Sequence, residues 1–231
     1  FSAGPWQIGR FGIDPADAAF VQPDCIFGDL VVFPGEPIGI RQEGRRWIVA
    51  DRSVVTLYAK GTVYRRRTVT GAGDDCVWFH FPREVVLGPQ RRAQWAGADR
   101  PDHRPCPPET FLEKERLGGD VLAQRTQAPE VIRRIGAIVR AIFEQPETDG
   151  REAVSPSQFA LAEEARALVA SSYNERLPLE AIAEELDCSV YHLCRAFASA
   201  TGRTLHAYRT ELRLRAAASA VRAGERSLTD L

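Results

Sequence analysis

The sequence predicts an α+β protein in which the strands come first and the helices follow. Short segments rich in β-branched and aromatic residues fill the first hundred residues, whereas apolar residues recur three and four apart after residue 109. Breaker-rich stretches at 82–110 and 145–157 separate these regions. The 231 residues are therefore expected to divide into a β domain, a helical segment, a linker and a helical domain.

Six strands are predicted in the N-terminal region. They are GDLVVF (28–33), IGIRQ (38–42), RWIVA (46–50), VVTLY (54–58), TVYRRR (62–67) and CVWFHF (76–81). Turn-forming sequences such as PGEP, DRS and GAGDD separate them. Short strands at close, regular spacing are typical of a barrel or a sandwich of mostly antiparallel strands.

The apolar pattern takes a helical period between residues 109 and 143. One face is marked by Val131, Ile135, Ile138 and Ile142. The segment QPETDGREAVSPS (145–157) then has the polar composition of a linker. From Gln158 onwards the chain is predicted to be helical.

Two short helices joined by a tight turn are predicted in residues 178–202. Pro178 suits the first turn of one helix, and Ser189 is placed to cap the next. Leu193 and Phe197 give the second helix a buried stripe, and Gly202 supplies the left-handed conformation that ends it. This pattern predicts a helix-turn-helix. Thr204 is placed to cap a third helix.

Local charge favours a polyanionic partner more than the net charge of −1 does. Residues 189–222 contain only one acidic residue, Glu211, but six arginines. The arginines are at positions 195, 203, 209, 213, 215 and 222. A basic face of this kind suits nucleic acid, because counterion release from phosphates drives binding. The alternative interpretation is a solvated arginine-rich helix.

The run LPLEAIAEELDCSVYHLCRAFASATGRTLHAYRTELRLRAAASAV resembles the DNA-binding domain of AraC/XylS-type bacterial transcription regulators. The matching features, in order, are L-x-x-[IL]-A-x-x-L, S-x-x-x-L-x-R-x-F, T-G-x-[ST]-x-x-x-Y and L-R-L-x-x-A. In that family a long helix joins two helix-turn-helix units, each of which inserts one recognition helix into the major groove. The resemblance implies a cytoplasmic, sequence-specific regulator that binds double-stranded DNA, and it leaves activator and repressor equally open.

The resemblance assigns Tyr191, Cys194 and Arg195 to the recognition surface, with His192 at its edge. A guanidinium at Arg195 can bind guanine O6 and N7, and Tyr191 can contact a thymine methyl or a phosphate. Cys194 hydrogen-bonds weakly and can simply pack against the groove, and His192 can equally satisfy a backbone carbonyl. The remaining expected DNA-binding residues are Ser189, Arg203 and Thr204, the last at a helix start suited to phosphate.

Two departures from the family pattern stand out. Asp187 occupies a position where the family often has glycine, although aspartate tolerates an unusual backbone angle. The second helix-turn-helix is missing, and SLTDL (227–231) looks like its opening residues. We therefore expect the native protein to continue and this chain alone to bind DNA weakly.

Many members of this family place a cupin-type β-barrel and a helical dimerisation segment before the DNA-binding helices. The expected domains are a sensor barrel at 1–108, a dimerisation segment at 109–145, a linker at 146–157 and a truncated DNA-binding domain at 158–231. An unidentified small-molecule effector is expected in the barrel. Its candidate contacts, each of which can equally be core or surface, are Arg41, Trp47, Tyr58, Tyr64, Trp78 and His80. A homodimer and contact with RNA polymerase are expected as well.

Other classes find less support in the sequence. Cupin enzymes use an H-x-H pair, and none of the four histidines stands at that spacing; Cys76 and His80 form at most half a metal site. No catalytic triad is marked, so neither an enzyme nor a metal or other cofactor is predicted. A redox sensor using Cys25, Cys76 or Cys106 remains an alternative, although the five cysteines show no CxxC pair and favour a reducing compartment.

No apolar run approaches the roughly 20 residues of a membrane helix, and no signal-peptide pattern begins the chain.

Overall fold

The computed structural model describes residues 1–96, 102–144 and 154–224. Among the described residues the chain folds as two compact units, the first made chiefly of residues 1–144 and the second of residues 154–221. Strands and four helices belong to the first unit, and the helix-turn-helix belongs to the second. None of the helices in the described ranges is both long and apolar enough to cross a membrane.

The strands of the first unit form two antiparallel sheets. In chain order the strands are β1 (Ser2–Ala3), β2 (Trp6–Ile13), β3 (Asp24–Cys25), β4 (Leu30–Pro34), β5 (Ile38–Gln42), β6 (Ile48–Ala50), β7 (Val54–Tyr58), β8 (Val63–Thr68), β9 (Asp74–His80) and β10 (His103–Pro105). One sheet has the order β1-β2-β9-β4-β7-β10, and the other has the order β3-β8-β5-β6. The predicted α+β architecture is confirmed, with the strands in two sheets that share an interior instead of one closed ring.

The helices follow the main strands in the chain. They are α1 (Arg83–Val86), α2 (Pro89–Ala96), α3 (Pro108–Leu122), α4 (Ala128–Glu144), α5 (Pro156–Ser171), α6 (Leu179–Glu185), α7 (Val190–Thr201) and α8 (Leu205–Ala223). The breaker-rich connector thus contains α1, α2 and β10. The region expected to be helical at 109–143 is two helices, and Gln124 between them has a φ of 54°.

Two strands of the first unit match the sequence prediction residue for residue, namely β5 and β7. The eight-residue strand β2 was not predicted, and its sequence WQIGRFGI contains two glycines. Gly9 lies opposite Trp78 of β9, and a Cβ at Gly9 would stand 2.1 Å from the indole ring. Glycine is therefore required here because the ring covers the backbone.

Aromatic contacts attach the helices of the first unit to its strands. The Trp95 ring of α2 lies 5.6 Å from Phe81 and 5.2 Å from Phe143 of α4, measured between ring centroids. Its indole nitrogen donates a hydrogen bond to the Asp29 carboxylate at 3.1 Å. Trp95 is 1% exposed, so its polar N–H needs this partner.

The second unit is a bundle of α5 to α8 with one apolar core. Its buried residues are Ala162, Ala165, Val169, Ala170, Ile182, Ala183, Leu193, Phe197, Ala200, Leu205, Tyr208 and Leu212. The alanines of α5 and α6 let the helices approach closely. A capping box starts α5, in which the Ser155 hydroxyl accepts from the Gln158 N–H and the Gln158 side chain accepts from the Ser155 N–H. Most of the predicted linker, residues 145–153, and the SLTDL segment lie outside the described residues.

Candidate nucleic-acid interface and effector cavity

The turn between α6 and α7 is held by a Schellman motif. The Cys188 N–H donates to the Ala183 carbonyl at 2.9 Å, and the Asp187 N–H donates to the Glu184 carbonyl at 3.1 Å. Asp187 has a φ of 48°, the left-handed conformation that the motif requires. This position is the one at which the sequence departs from the glycine that the family often has, and the aspartate adopts a left-handed conformation there.

Helix α7 begins and ends at the predicted residues. The Ser189 hydroxyl accepts a hydrogen bond from the His192 N–H at 3.2 Å, which satisfies a free donor of the first turn. Gly202 ends the helix with a φ of 74°, and its N–H donates to the Ala198 carbonyl. Thr204 caps the following helix through the Ala207 N–H at 3.1 Å. The hydroxyls of Ser189 and Thr204 therefore both serve as helix caps.

One face of α7 is buried and the opposite face is open to solvent. Leu193 and Phe197 are fully buried, and the Phe197 ring lies 5.4 Å from that of Tyr208. Tyr191 is 74% exposed, and Arg195 one turn later is exposed as well. Within the described residues no hydrogen bond or ion pair engages the Arg195 side chain. A helix of 12 residues is about 18 Å long, and its diameter suits the major groove.

The other candidates on α7 differ in their access to solvent. His192 is exposed at the side of the open face, whereas Cys194 is half-buried against the core. Ala198 and Ser199 were not predicted, and they extend the stripe of Tyr191 and Arg195 by a further turn. Helical periodicity could have identified them, since residues seven and eight positions after Tyr191 lie on the same helix face.

The arginines around α8 divide into structural and available groups. Arg203 and Arg215 both bind the Glu211 carboxylate, and the Arg215 side chain is only 4% exposed. Arg213 donates to the carbonyls of Tyr173 and Glu175 at 2.5 and 2.9 Å. Half of the basic residues counted in the sequence therefore have partners within the protein.

Arg209 lies one turn before Arg213 on α8. Burial, followed by the neighbouring Arg213 charge, lowers the pKa of Arg209. Two like charges at this spacing repel each other, and a phosphate between them would relieve that repulsion.

The first unit contains a cavity of about 170 Å³ between its two sheets. Of the six candidate effector contacts, Tyr58, Tyr64 and Trp78 line it. Arg41 lies on the opposite face of β5 from Ile38 and Ile40, which do line it, because successive side chains of a strand alternate. Trp47 packs against the guanidinium groups of Arg41 and Arg67, which lie 5.0 and 4.7 Å from its ring centroid. The His80 ring packs against Phe27 and does not line this cavity.

A charged network at the cavity was not predicted from the sequence. Arg66 is buried and donates to the Asp24 carboxylate at 2.9 Å and to the Tyr64 hydroxyl at 2.5 Å. Its Nε lies 3.6 Å from the carboxylate of the buried Asp74. Burial raises the pKa of Asp74 to about 6, and the nearby Arg66 charge opposes that rise. Asp24, Tyr64 and Asp74 all line the cavity.

The cysteines of the cavity differ in their access to solvent. Cys25 and Cys76 both line it, but Cys25 is exposed, whereas Cys76 is buried and burial raises the pKa of its thiol. Among the residues that the structure describes, no three His, Cys, Asp or Glu side chains are grouped to hold a metal ion.

The second unit contains a segment that matches a known family. Residues 169–210, from the end of α5 to the start of α8, match the family model of bacterial regulatory helix-turn-helix proteins of the AraC family. The chain carries an AraC-family helix-turn-helix. No curated protein matches the chain significantly.

Solved structures with similar folds include AraC-type proteins. The AraC-like transcriptional activator CuxR is 16% identical with a TM-score of 0.40, and the alignment covers 87% of this chain and 72% of that one. Unsaturated fatty acid bound wild-type ToxT from Vibrio cholerae is 12% identical with a TM-score of 0.38, covering 97% of this chain and 84% of that one. These likenesses are distant, and the family match is that of the helix-turn-helix segment at residues 169–210.

Proposed function

We propose that this chain is a DNA-binding transcription regulator of the AraC type, that α7 is its recognition helix and that Arg195 and Tyr191 contact base edges in the major groove. The observation that carries the proposal is the exposure of these two side chains, one helical turn apart, directly opposite the buried Leu193 and Phe197. A face of this kind can enter a groove without disturbing the core behind it. His192, Cys194 and Ser199 flank this pair.

Arg195 is the side chain best suited to direct base readout. Its guanidinium can form two parallel hydrogen bonds to guanine, which contribute about 1–3 kcal/mol of discrimination against other bases. Removing it is expected to weaken binding to a preferred duplex by roughly 5- to 150-fold. The Arg203 guanidinium already forms an ion pair with Glu211. If Arg203 also contacts DNA, its guanidinium must bind the Glu211 carboxylate and the DNA at the same time.

The test begins with duplexes that the protein itself enriches from a random-sequence library. Fluorescence anisotropy then compares wild type, Arg195→Ala and Arg195→Lys on an enriched duplex and on a scrambled one. Both variants should lose preference, because lysine keeps the charge but not the paired donors. Arg65→Ala, an exposed arginine of β8, is the matched control for one lost positive charge and should bind as wild type does.

Equal losses on the enriched and the scrambled duplex would contradict base readout by Arg195. In that case the variant should also reduce the slope of log K against log salt by about one contact, as expected of a phosphate ligand. Unchanged binding to both duplexes would overturn the assignment of α7 as the recognition helix.

We also propose that the first unit senses a small-molecule effector and that residues 1–108 are the sensor domain. The support is the cavity between the sheets, with its apolar lining and a few polar groups on one side. Tyr58, Tyr64 and Trp78 are retained as proposed effector contacts. Residues 158–231 would form the DNA-binding domain, with 146–157 as the linker.

A homodimer is proposed to form through the helical segment at 109–145. The supporting feature is exposed apolar surface on α3, where Leu112 is 40% exposed and Leu122 is 85% exposed. Sedimentation of wild type and of Leu122→Ser tests this, because the variant should shift the equilibrium toward monomer. RNA polymerase is proposed as a further partner of the DNA-bound protein in the cytoplasm.

A further inference from the structure

The walls of the sensor cavity combine aromatic surface with acidic groups. Alternation along β9 directs Asp74, Cys76 and Trp78 toward the cavity and Asp75 away from it. The rest of the lining is chiefly aliphatic and aromatic. A cavity of about 150 Å³ can hold benzene, so this one accommodates a ligand slightly larger than a single aromatic ring.

The charges at the cavity do not balance. Asp24 and Asp74 share the single guanidinium of Arg66, which leaves one formal negative charge when both carboxylates are ionised. No cationic side chain lines the cavity in the described part of the chain. The Arg66 Nε is buried without a hydrogen-bond partner, since Asp74 at 3.6 Å is too distant to accept from it.

The remaining polar groups are hydrogen-bonding groups without charge. Burial raises the pKa values of the Tyr58 and Tyr64 hydroxyls, so both stay protonated and neutral. An anionic ligand would therefore meet two carboxylates with no free cation. A cationic ligand would meet a carboxylate that lacks a full partner, together with aromatic faces that also attract cations.

We propose that the cavity binds a small primary amine with an aromatic or compact apolar body, its ammonium group held by Asp74 and Asp24. The apolar body lies among Tyr58, Tyr64 and Trp78. Entry is from the side of β3, where the Asp24 side chain is 49% exposed and the nearby Phe27 is 56% exposed. The inference deepens the proposed effector-sensing function and rests on it.

The experiment uses 2-phenylethylamine as the probe, with 3-phenylpropionate and 2-phenylethanol as matched anionic and neutral compounds. Isothermal titration at pH 7.5 measures binding of each to wild type and to Asp74→Asn, Asp24→Asn and Asp75→Asn. Asp75 is the matched control, because it lies next to Asp74 but pairs with Arg10 outside the cavity. The amine should bind wild type more tightly than either analogue, and Asp74→Asn should weaken it about tenfold or more.

Asp24→Asn, at the rim of the cavity, gives a second variant should Asp74→Asn fold poorly. It should weaken amine binding while Asp75→Asn does not. Tighter binding of the carboxylate or the alcohol than of the amine would overturn the amine proposal and leave the cavity as an effector site. Absence of amine binding at millimolar concentrations, or amine binding that no acidic variant weakens, would overturn it as well.

The proposed effector role fails in a different measurement. If the amine binds as expected but does not change the affinity of the protein for its enriched duplex, the amine site stands and the effector role of this ligand is wrong. Fluorescence anisotropy with and without 2-phenylethylamine, using Asp74→Asn as the unresponsive control, separates the two outcomes.

Discussion

Asp74 is buried beside the cavity, and its replacement by asparagine tests the electrostatics of the sensor unit without any ligand. The side chain is 6% exposed, and the nearest guanidinium atom lies 3.6 Å away, beyond hydrogen-bond distance. Desolvation therefore outweighs the attraction of Arg66, and the pKa of Asp74 rises from 3.8 to about 6. Asparagine has nearly the same shape and never ionises.

The pKa of about 6 sets both the size and the direction of the effect. A carboxyl group with a raised pKa binds its proton more tightly in the folded protein than in the unfolded chain. Its contribution to stability is thus present below about pH 4 and is lost as the pH rises through 6. The full loss is about 3 kcal/mol, and the part between pH 5 and pH 7.5 is about 1 kcal/mol.

Other carboxylates also titrate in this pH range, so the stability of wild type alone does not report on Asp74. The useful quantity is the difference in free energy of unfolding between the variant and wild type at each pH. The free energy of unfolding of Asp74→Asn minus that of wild type should increase by about 1 kcal/mol from pH 5 to pH 7.5. All four tryptophans lie within residues 1–95, so tryptophan fluorescence during urea unfolding reports on the first unit. Asp75→Asn corrects for the loss of a carboxylate from the same strand.

A difference that stays constant between pH 5 and pH 7.5 would refute the raised pKa. A difference of the opposite sign, in which wild type gains stability over the variant as the pH rises, would show that the Arg66 ion pair dominates burial. That outcome would also remove the uncompensated carboxylate on which amine binding depends.

Two further predictions concern the turn and the thiols. Asp187→Val should lower the free energy of unfolding of the second unit by about 1–2 kcal/mol, because a β-branched residue resists the left-handed conformation. Asp187→Gly should not destabilise this unit. Circular dichroism during thermal unfolding measures the stability of both variants. Iodoacetamide should modify the exposed Cys25 in the native protein and reach the buried Cys76 only in urea, because burial raises the pKa of the Cys76 thiol. Peptide mapping that finds Cys76 modified first would favour the redox-sensor alternative.

The sequence was most informative where local signals determine structure. The strand at 54–58 is a run of β-branched and apolar residues between turns, and the ends of α7 are fixed by Ser189 and Gly202. Both were predicted because these signals act within a few residues. The break between α3 and α4 was missed, although Pro129 in the first turn of α4 is a start signal that a longer helical period had obscured.

The charged cavity could not be predicted from the sequence, for a physical reason. Residues 65–67 are three consecutive arginines, and composition gives no basis for choosing the one that points inward. The choice depends on pairing between β8 and β5, in which Arg66 lies opposite Ile40 on the face that lines the interior. Asp24 and Asp74 then meet Arg66 from strands 42 and 8 residues away in the chain. Such contacts are a property of the tertiary fold alone.

If the proposed sensor and the proposed DNA-binding helix are coupled, thermodynamic linkage makes their effects on each other's affinity reciprocal. This reciprocity holds for any arrangement of the two units. If 2-phenylethylamine changes the affinity for the enriched duplex by some factor, the duplex must change the affinity for the amine by the same factor. Couplings of this kind typically lie between about 5- and 150-fold, which both titrations can resolve. Unequal factors would mean that the amine also acts outside this equilibrium, for example on the DNA. Equal factors that vanish together in Asp74→Asn would assign the coupling to the carboxylate in the cavity.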